Sequence, residues 1–434
     1  MTESNSERSR AKEEQLKPPE QAPETEPRVA EYGYEHKDLT PEKMVEVREA
    51  ADRSKNESLQ TLEDRFERPK NPADKLLFHN RRHSAGVGER AKDIAALLVP
   101  DADKAKMLET LTPEESGAAI ERVQTNAEIR AYDHDRVNTS IIVEVPDPVA
   151  THADGTPIMR QVRKRALAPA DVKRRDDLKA KKVSAETLGG DALTTEEKDL
   201  LEKFEKIGTL WTNEKDSAAE SEAKLQEANG TDGKPLFTTR EVSKDDTFAA
   251  TVPGWDVKNN TVAQIHLSHE TSLTDKAIAF ADLGEAGHDP EGYVLAADPL
   301  LLEDNPDIED AVMHPEKLDE QTRLNVAKRI VDWSRVQIGF AEGRKARIQG
   351  YEIEVPGDND TKEKKIVSDL DGLSEDVKER MKGYFNKFDE SIAAARTVYE
   401  QRLALFSGEK PLDEAFEELR QLVLDNLEKY AKPT

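Results

Sequence analysis

Apolar residues in the C-terminal part of the chain recur every three or four positions, which is the repeat of one face of a helix. One run comprises Val377, Met381, Tyr384, Phe388, Ile392, Ala395, Tyr399, Leu403 and Phe406. A second run with the same spacing comprises Leu324, Ala327, Val331, Ile338 and Ala341. Strand-like alternation is scarce in the rest of the chain, so the pattern predicts an all-α fold.

The composition allows a helical core together with much exposed polar chain. Of the 434 residues, 36% are hydrophobic, which is below the norm of about 45–50% for globular domains. A net charge of −26 argues against DNA, RNA or an anionic membrane as the main partner. The chain has no cysteine, so any metal must be bound through nitrogen and oxygen atoms. No apolar run approaches the roughly 18 residues of a membrane span, and we expect a cytoplasmic protein.

Changes in composition divide the chain into four segments. Residues 1–38 are rich in Glu, Pro, Ser and Lys, which predicts a disordered acidic and proline-rich tail. Residues 39–70 have helix-forming composition and are predicted to form a helical linker. A helical domain is predicted over residues 71–350, with an insertion at about 141–200 that holds a strand-like run, a Pro/Gly turn and a basic run. Residues 351–434 are predicted to form a C-terminal helical extension.

The segment FHNRRHS, residues 78–84, holds His79 and His83 four positions apart. Side chains at this spacing lie on one face of a helix, so both imidazoles are expected to point the same way. The pair can form half of a metal site. Two half-exposed histidines that cover a helix face fit the same spacing.

Three further stretches carry polar groups that can meet these histidines. His134 and Asp135 are adjacent in AYDHDR, and adjacent side chains reach one ion only where a helix ends. Asp282 follows the apolar run 278–281, and a carboxylate buried there requires a cation. Glu214 lies in TNEKDSA. Each also fits an ordinary structural role, as a polar helix end, a turn cap or a first-turn glutamate.

The order of these residues resembles the HD superfamily of metal-dependent phosphohydrolases, whose pattern is H…HD…D on an all-α core. FHNRRHSAGV is similar to the opening motif of that superfamily, in which Tyr or Phe precedes His-Asn-x-x-His. NEKDSA is similar to the Asn-Glu-x-x-Ser-Ala segment of small bacterial members, and AIAFADLGEAG to the closing Ala-Asp motif. The resemblance covers residues 72–345 and implies an HD-domain helical bundle with a long inserted segment and extra C-terminal helices.

The resemblance also implies a role for each matched residue. The implied metal ligands are His83, His134, Asp135 and Asp282. The implied ion is divalent, with Mn, Fe, Zn, Mg and Co as candidates and one or two ions per site. His79 would be the general acid that protonates the leaving oxygen, and Glu214 would hold the nucleophilic water or a second metal. The expected reaction is hydrolysis of a phosphoester by a metal-bound water, with nucleotides among the candidate substrates.

Arginines supply candidate contacts for the phosphate. Arg163 and Arg165 lie in the basic run of the insertion, and Arg82 lies between the two histidines of the first motif. Guanidinium groups bind phosphate through paired hydrogen bonds, and the resemblance implies a small phosphorylated molecule as the partner. The basic run equally fits a solvated loop that balances acidic neighbours.

Three other functions remain open from the sequence. A catalytically inactive HD fold would bind a nucleotide or a protein without hydrolysing it. An acidic helical interaction protein would carry its histidines incidentally. A di-iron oxygenase built on the same ligands would need an additional histidine. The complete ligand order favours the hydrolase over these alternatives.

Overall fold

Helices make up most of the chain in the computed structural model, which confirms the predicted all-α class. The structure describes residues 34–70, 74–138, 140–151, 155–165, 169–188, 192–195, 197–198, 201, 212–242, 272–356, 362–408 and 410–432. Strands within these ranges form two antiparallel hairpins. None of the helices in these ranges combines the length and the apolar character needed to cross a membrane.

The helices follow one another along the chain as follows. The N-terminal half contains α1 (Pro41–Leu62), α2 (Arg81–Leu97), α3 (Asp101–Met107), α4 (Pro113–Asp133), α5 (Pro169–Leu188) and α6 (Thr212–Glu227). The central part contains α7 (Thr239–Val242), α8 (Leu273–Leu283), α9 (Glu285–His288), α10 (Pro290–Asp304) and α11 (Pro306–Met313). The C-terminal part contains α12 (Glu320–Gln349), α13 (Glu375–Tyr384), α14 (Phe388–Ala404) and α15 (Leu412–Ala431). Two 3-10 turns, His36–Leu39 and Pro315–Lys317, and a π turn, Glu63–Glu67, complete the helical segments among these residues.

Side-chain caps fix where the two helices of the candidate site begin. Asn80 precedes α2, and its side chain accepts from the backbone N–H groups of Arg82 and His83. Thr112 precedes α4 and forms a capping box with Glu115. Because Asn80 is the cap, α2 starts after His79 and the histidines lie on either side of the helix start.

The first core packs α2, α4 and α8 against one another. Val87, Ala91 and Ile94 of α2 are fully buried in it, with Ala127 of α4 and Ile278 of α8. A side chain at Gly88 would place its Cβ 2.3 Å from the Tyr132 ring. The absence of a side chain at this position therefore lets α2 and α4 approach closely, and their facing ends carry the site.

A second core joins the C-terminal helices to α10 and α11. Leu302, Ile308, Ile330, Leu419 and Val423 are buried together there. The last helix, α15, thus packs against the central helices, and the C-terminal segment shares its core with the preceding part of the chain.

The N-terminal helix α1 packs against α4 through Val47, Ala50 and Ala51, which are buried. Tyr34 is only 2% exposed and its ring lies under the Arg122 guanidinium at 4.9 Å. The predicted tail of residues 1–38 overlaps this packed segment at residues 34–38, and residues 1–33 lie outside the described residues. Aromatic burial and the contact with Arg122 hold Tyr34 in place.

The two hairpins lie outside the helical cores. Strands β1 (Ser140–Thr151) and β2 (Pro157–Arg165) pair antiparallel from Ser140 opposite Arg165 to Pro146 opposite Met159. This hairpin falls in the predicted insertion, where the strand-like run and the turn indicated it. Strands β3 (Tyr351–Pro356) and β4 (Lys362–Val367) form the second hairpin, after α12.

Candidate metal centre

Two buried histidines face each other at the centre of the candidate site. His83 in the first turn of α2 and His134 at the end of α4 bring their Nε2 atoms to 3.2 Å. His134 Nδ1 donates to the carbonyl oxygen of Ala131 at 2.6 Å, so this nitrogen carries a proton and Nε2 has a lone pair whenever the ring is neutral. Two imidazole nitrogens at such a distance repel unless a proton or a metal ion lies between them.

Two aspartates surround the same point. Asp135 Oδ2 lies 2.9 Å from His134 Nε2 and 3.3 Å from His83 Nε2. Asp282 Oδ1 lies 3.4 Å from His83 Nε2 and 3.6 Å from His134 Nε2. Asp135 reaches the site beside its neighbour because α4 ends at Asp133 and the chain turns there.

The imidazoles and carboxylates at this point shift one another's pKa values. Burial alone would lower the pKa of His134, but the carboxylates of Asp135 and Asp282 raise it well above its usual value. Burial would raise the pKa of Asp135, yet the charges of His134 and His79 lower it well below its usual value. Burial would likewise raise the pKa of Asp282, which hydrogen bonds with His134 and His83 instead lower. Both aspartates are therefore carboxylates at neutral pH.

The donor atoms fit the spacing of ligands around one metal ion. His83, His134 and Asp135 each offer a donor atom within 4.8 Å of the others, a group able to hold a metal. Two donors at about 2.1 Å from an ion lie about 3.0 Å apart in adjacent octahedral positions and about 3.4 Å apart in a tetrahedron. The five distances that join the two imidazoles to each other and to the aspartates run from 2.9 to 3.6 Å. Two imidazoles and a carboxylate suit a divalent ion, and Asp282 lies next to this group.

His79 lies beside the group of His83, His134 and Asp135 but precedes helix α2. Its Nε2 is 3.9 Å from Asp135 Oδ2, and its ring lies edge-on to that of His83 with the centroids 5.6 Å apart. The spacing of the two histidines predicts that both lie on one face of a helix. That prediction is wrong, because Asn80 caps the helix and α2 begins between the two histidines. Both imidazoles nevertheless reach the same site.

Glu303, at the end of α10, contacts His79 on the side of the ring away from His83, His134 and Asp135. The carboxylate is bonded to His79 Nδ1 and accepts from the backbone N–H groups of Leu77, Phe78 and His79 at 2.8 to 3.1 Å. Burial would raise the pKa of Glu303, but the charge of His79 and these hydrogen bonds lower it. Glu303 is thus an ionised, buried partner of the imidazole.

Sequence reasoning missed Glu303, although a signal was present. The residue directly follows the apolar run Leu300–Leu302. A carboxylate after an apolar run is the same pattern that identified Asp282, because burial of a carboxylate requires a partner. The distance of 224 positions along the chain between Glu303 and His79 hid the partner.

A buried ion network supports the end of α4. Asp133 is fully buried and accepts from Ser58 Oγ at 2.6 Å, Lys224 Nζ at 2.7 Å and Arg136 Nη1 at 3.4 Å. Burial would raise the pKa of Asp133, but the charges of Lys224 and Arg136 lower it. Asp133 precedes His134 directly, so this network fixes the turn that presents His134 and Asp135.

Glu214 lies on α6, which packs against α4. On that helix, Ser217 Oγ accepts from the backbone N–H of Val137 at 2.9 Å, just beyond the His134–Asp135 pair. The backbone of position 214 is one helical turn before Ser217. The side chain of Glu214 lies outside the described residues.

The three predicted phosphate-binding arginines occupy different places. Arg163 Nε donates to the carbonyl oxygen of Glu303 at 3.0 Å and its Nη1 to Ser140 Oγ at 3.0 Å. Arg165 pairs with Ser140 in the hairpin, and its side chain lies outside the described residues. Arg82 is turned toward the end of α15.

Arg82 links the C-terminal end of α15 to the segment FHNRRHS. Its Nη1 donates to the carbonyl oxygens of Lys429, Tyr430 and Lys432 at 3.2, 2.7 and 3.0 Å. Its guanidinium also lies 4.8 Å from the centroid of the Tyr430 ring. Cations at a helix C-terminus satisfy its free carbonyls and its dipole. Tyr430 in turn stacks on Phe78, whose ring centroid is 4.4 Å from that of His83.

Comparison of the chain with protein families, with curated proteins and with solved structures finds no match.

Proposed function

We propose that the protein is a metal-dependent phosphohydrolase of the HD type that acts on a small phosphoester. The observation that carries the proposal is the group formed by two imidazoles and the Asp135 carboxylate, whose donor atoms lie within 4.8 Å of one another, with the Asp282 carboxylate 3.4 and 3.6 Å from the two imidazoles. The contributing residues are His83, His134, Asp135 and Asp282. They are the same residues that the resemblance to the HD superfamily matches to metal ligands.

The site offers what hydrolysis of a phosphoester requires. A divalent ion bound there would polarise a phosphoryl oxygen and lower the pKa of a bound water to near neutrality. Hydrogen bonds within the chain fix the orientation of the proposed ligands. The hydrogen bond from His134 Nδ1 to Ala131 fixes the ring and leaves Nε2 as the donor to the ion, and the Asp133 network fixes the turn that follows.

His79 is the proposed general acid. Its Nδ1 is bonded to Glu303, so Nε2 is the nitrogen that faces the site. A buried carboxylate behind an imidazole orients the ring and stabilises its protonated form, from which a proton passes to the leaving oxygen. A positioned acid of this kind contributes about 10²- to 10⁴-fold to the rate.

Glu214 and the arginines remain the proposed partners of water and phosphate. Glu214 would orient the nucleophilic water or hold a second ion, and Ser217 on the same helix brings α6 to the end of α4. Arg163 and Arg82 already donate to backbone carbonyls, so a phosphate would compete with those acceptors. Arg165 is the third candidate.

Metal analysis followed by a phosphoester panel tests this function. We expect the purified protein to hold about one or two divalent transition ions, as a site of two imidazoles and two carboxylates favours. With that metal, the protein should hydrolyse a nucleotide, a cyclic nucleotide, a sugar phosphate or an alarmone, and a chelator should abolish the activity. A protein that neither contains nor takes up such an ion would overturn the proposal.

The panel also separates the hydrolase from its main alternative. A protein that binds the metal and a nucleotide but hydrolyses no phosphoester would be an inactive HD fold with a binding role. Spectroscopic evidence of paired iron would instead favour an oxygenase.

A further inference from the structure

Helix α8 ends one residue after Asp282, so this proposed ligand sits in a last turn whose carbonyl groups have no helical partner. Two of these carbonyls flank Asp282 in the sequence. Ala281 O accepts from Arg90 Nε at 2.9 Å, and Leu283 O accepts from Arg344 Nε at 3.2 Å. The backbone on either side of Asp282 is therefore held by an arginine.

Both arginines are buried, and they come from different helices. Arg90 lies on α2, two turns after His83, and its Nη1 is 3.5 Å from Glu285. Arg344 lies on α12 and pairs with Asp369 through a 3.0 Å contact in which both side chains are 3% exposed. A buried guanidinium held by a second partner has little freedom to move, so each arginine is a fixed anchor.

Asp282 needs such anchoring more than the other proposed ligands. Its side chain is 28% exposed, against 15% for Asp135, 5% for His83 and 2% for His134. Packing restrains the buried ligands, whereas the position of a partly exposed carboxylate depends more on its backbone. The chain beyond it is also confined, because a Cβ at Gly284 would lie 2.3 Å from the carbonyl oxygen of Phe280.

We propose that Arg90 and Arg344 are positioning residues that clamp the end of α8 and thereby aim the Asp282 carboxylate at the two imidazoles. The inference rests on the proposed metal site and adds two residues that do not touch the ion. Partners that orient metal ligands in this way typically change metal affinity by about 10- to 100-fold when they are removed.

The test measures Mn²⁺ affinity and melting temperature for the full-length protein and five variants. Four are the single variants Arg90→Gln, Arg344→Gln, Asp282→Ala and Arg402→Gln, and the fifth combines Asp282→Ala with Arg90→Gln. Arg402 is a matched control, because it is also buried and paired with an aspartate, Asp298, but donates to no residue of the site.

We expect Arg90→Gln and Arg344→Gln each to weaken Mn²⁺ binding by about 10- to 100-fold. Arg402→Gln should lower the melting temperature and leave the affinity within about twofold of wild type. In the Asp282→Ala background, Arg90→Gln should cause no further loss of affinity, since the carboxylate that it aims is gone. If Arg344→Gln fails to fold, Arg344→Lys and Arg90→Gln decide the question.

The outcomes separate this inference from the proposed function. If the wild type binds Mn²⁺, and Asp282→Ala weakens that binding while both arginine variants bind like wild type, the clamp is refuted and the metal site stands. Equal losses of affinity in Arg90→Gln with and without Asp282 would also refute it. A wild type that binds none of Mn²⁺, Fe²⁺ and Zn²⁺ would overturn both the site and the clamp.

Discussion

His79 is bonded through Nδ1 to the carboxylate of Glu303, which lies 224 positions further along the chain. The same carboxylate accepts three backbone N–H groups from the segment that carries His79. Glu303 therefore holds both the ring and its backbone. This pair gives the proposed acid a fixed orientation beside His83, His134 and Asp135.

Replacing Glu303 by Gln should reduce turnover without removing metal. The variant keeps the shape of the side chain but loses the charge that orients and stabilises the protonated imidazole, so kcat for a phosphoester should fall at least about a hundredfold. Metal content by mass spectrometry should stay at the wild-type level. Glu309→Gln, a neutral change at a nearby glutamate on α11, is the control. Loss of metal from Glu303→Gln would show that Glu303 supports the ligands instead.

The lowered pKa of Glu303 predicts how its contribution to stability depends on pH. The unfolded chain binds a proton at this group near pH 4.3, whereas the folded protein does so only at lower pH. Its stabilisation is therefore fully present above about pH 4.3 and is lost as the pH falls through the folded-state pKa. Urea unfolding of wild type and Glu303→Gln should show a difference at pH 7 that shrinks toward pH 3. A difference independent of pH would contradict an ionised Glu303.

His79 and His83 should respond differently to substitution by alanine. His83→Ala removes a proposed ligand and should strip most of the metal together with activity. His79→Ala should keep the metal and lose about 10²- to 10⁴-fold in kcat, because only the acid is missing. Metal content and turnover of both variants are compared with those of His314→Ala, at a half-exposed histidine after α11. Full activity of His79→Ala on every substrate would exclude the acid role.

The buried network at Asp133 should matter for stability. Asp133→Ala leaves Lys224 and Arg136 without their shared acceptor and should lower the free energy of unfolding by about 3–5 kcal/mol. The double variant Asp133→Leu with Lys224→Met removes both charges of the closest pair, and Arg136 keeps Glu57 and Glu220 as partners, so part of the loss should be recovered. Urea denaturation measures both. A double variant less stable than Asp133→Ala would mean that the ion pair is a net source of stability.

Tyr34 should contribute to stability, although composition alone assigns it to a disordered tail. Tyr34→Ala removes a buried ring packed under Arg122 and should lower the free energy of unfolding by about 3 kcal/mol. Tyr34→Phe keeps the ring and should lose much less. Thermal denaturation of the two variants shows whether the segment around Tyr34 contributes to the stability of the fold. Equal melting temperatures for Tyr34→Ala and wild type would contradict the packing seen here.

The sequence anticipated the site wherever the signal is local. The order of His83, His134, Asp135 and Asp282 is readable from short motifs, and the structure brings these side chains together. The condition that Asp135 can join His134 only at a helix end follows from helix geometry, and α4 does end at Asp133. Helical periodicity likewise predicts the all-α class.

Contacts between residues far apart in the sequence could not be predicted from local sequence patterns. Periodicity cannot show that Glu303 meets His79, that Arg344 reaches the end of α8, or that Arg82 turns toward the last helix. Each of these contacts depends on how helices distant in sequence pack. The predicted end of the tail at residue 38 was too late for a similar reason. Tyr34 is an aromatic residue in a polar segment, and the residue that it packs against, Arg122, lies far along the chain in α4.

The contact between Arg82 and α15 joins residues that are synthesised at very different times. The ribosome delivers the first motif early, but Tyr430, which stacks on Phe78 and accepts from Arg82, emerges 348 residues after Arg82. Asp282 and Glu303 also arrive long after the histidines that they meet. The proposed ligand set is therefore complete only after Asp282 has been translated.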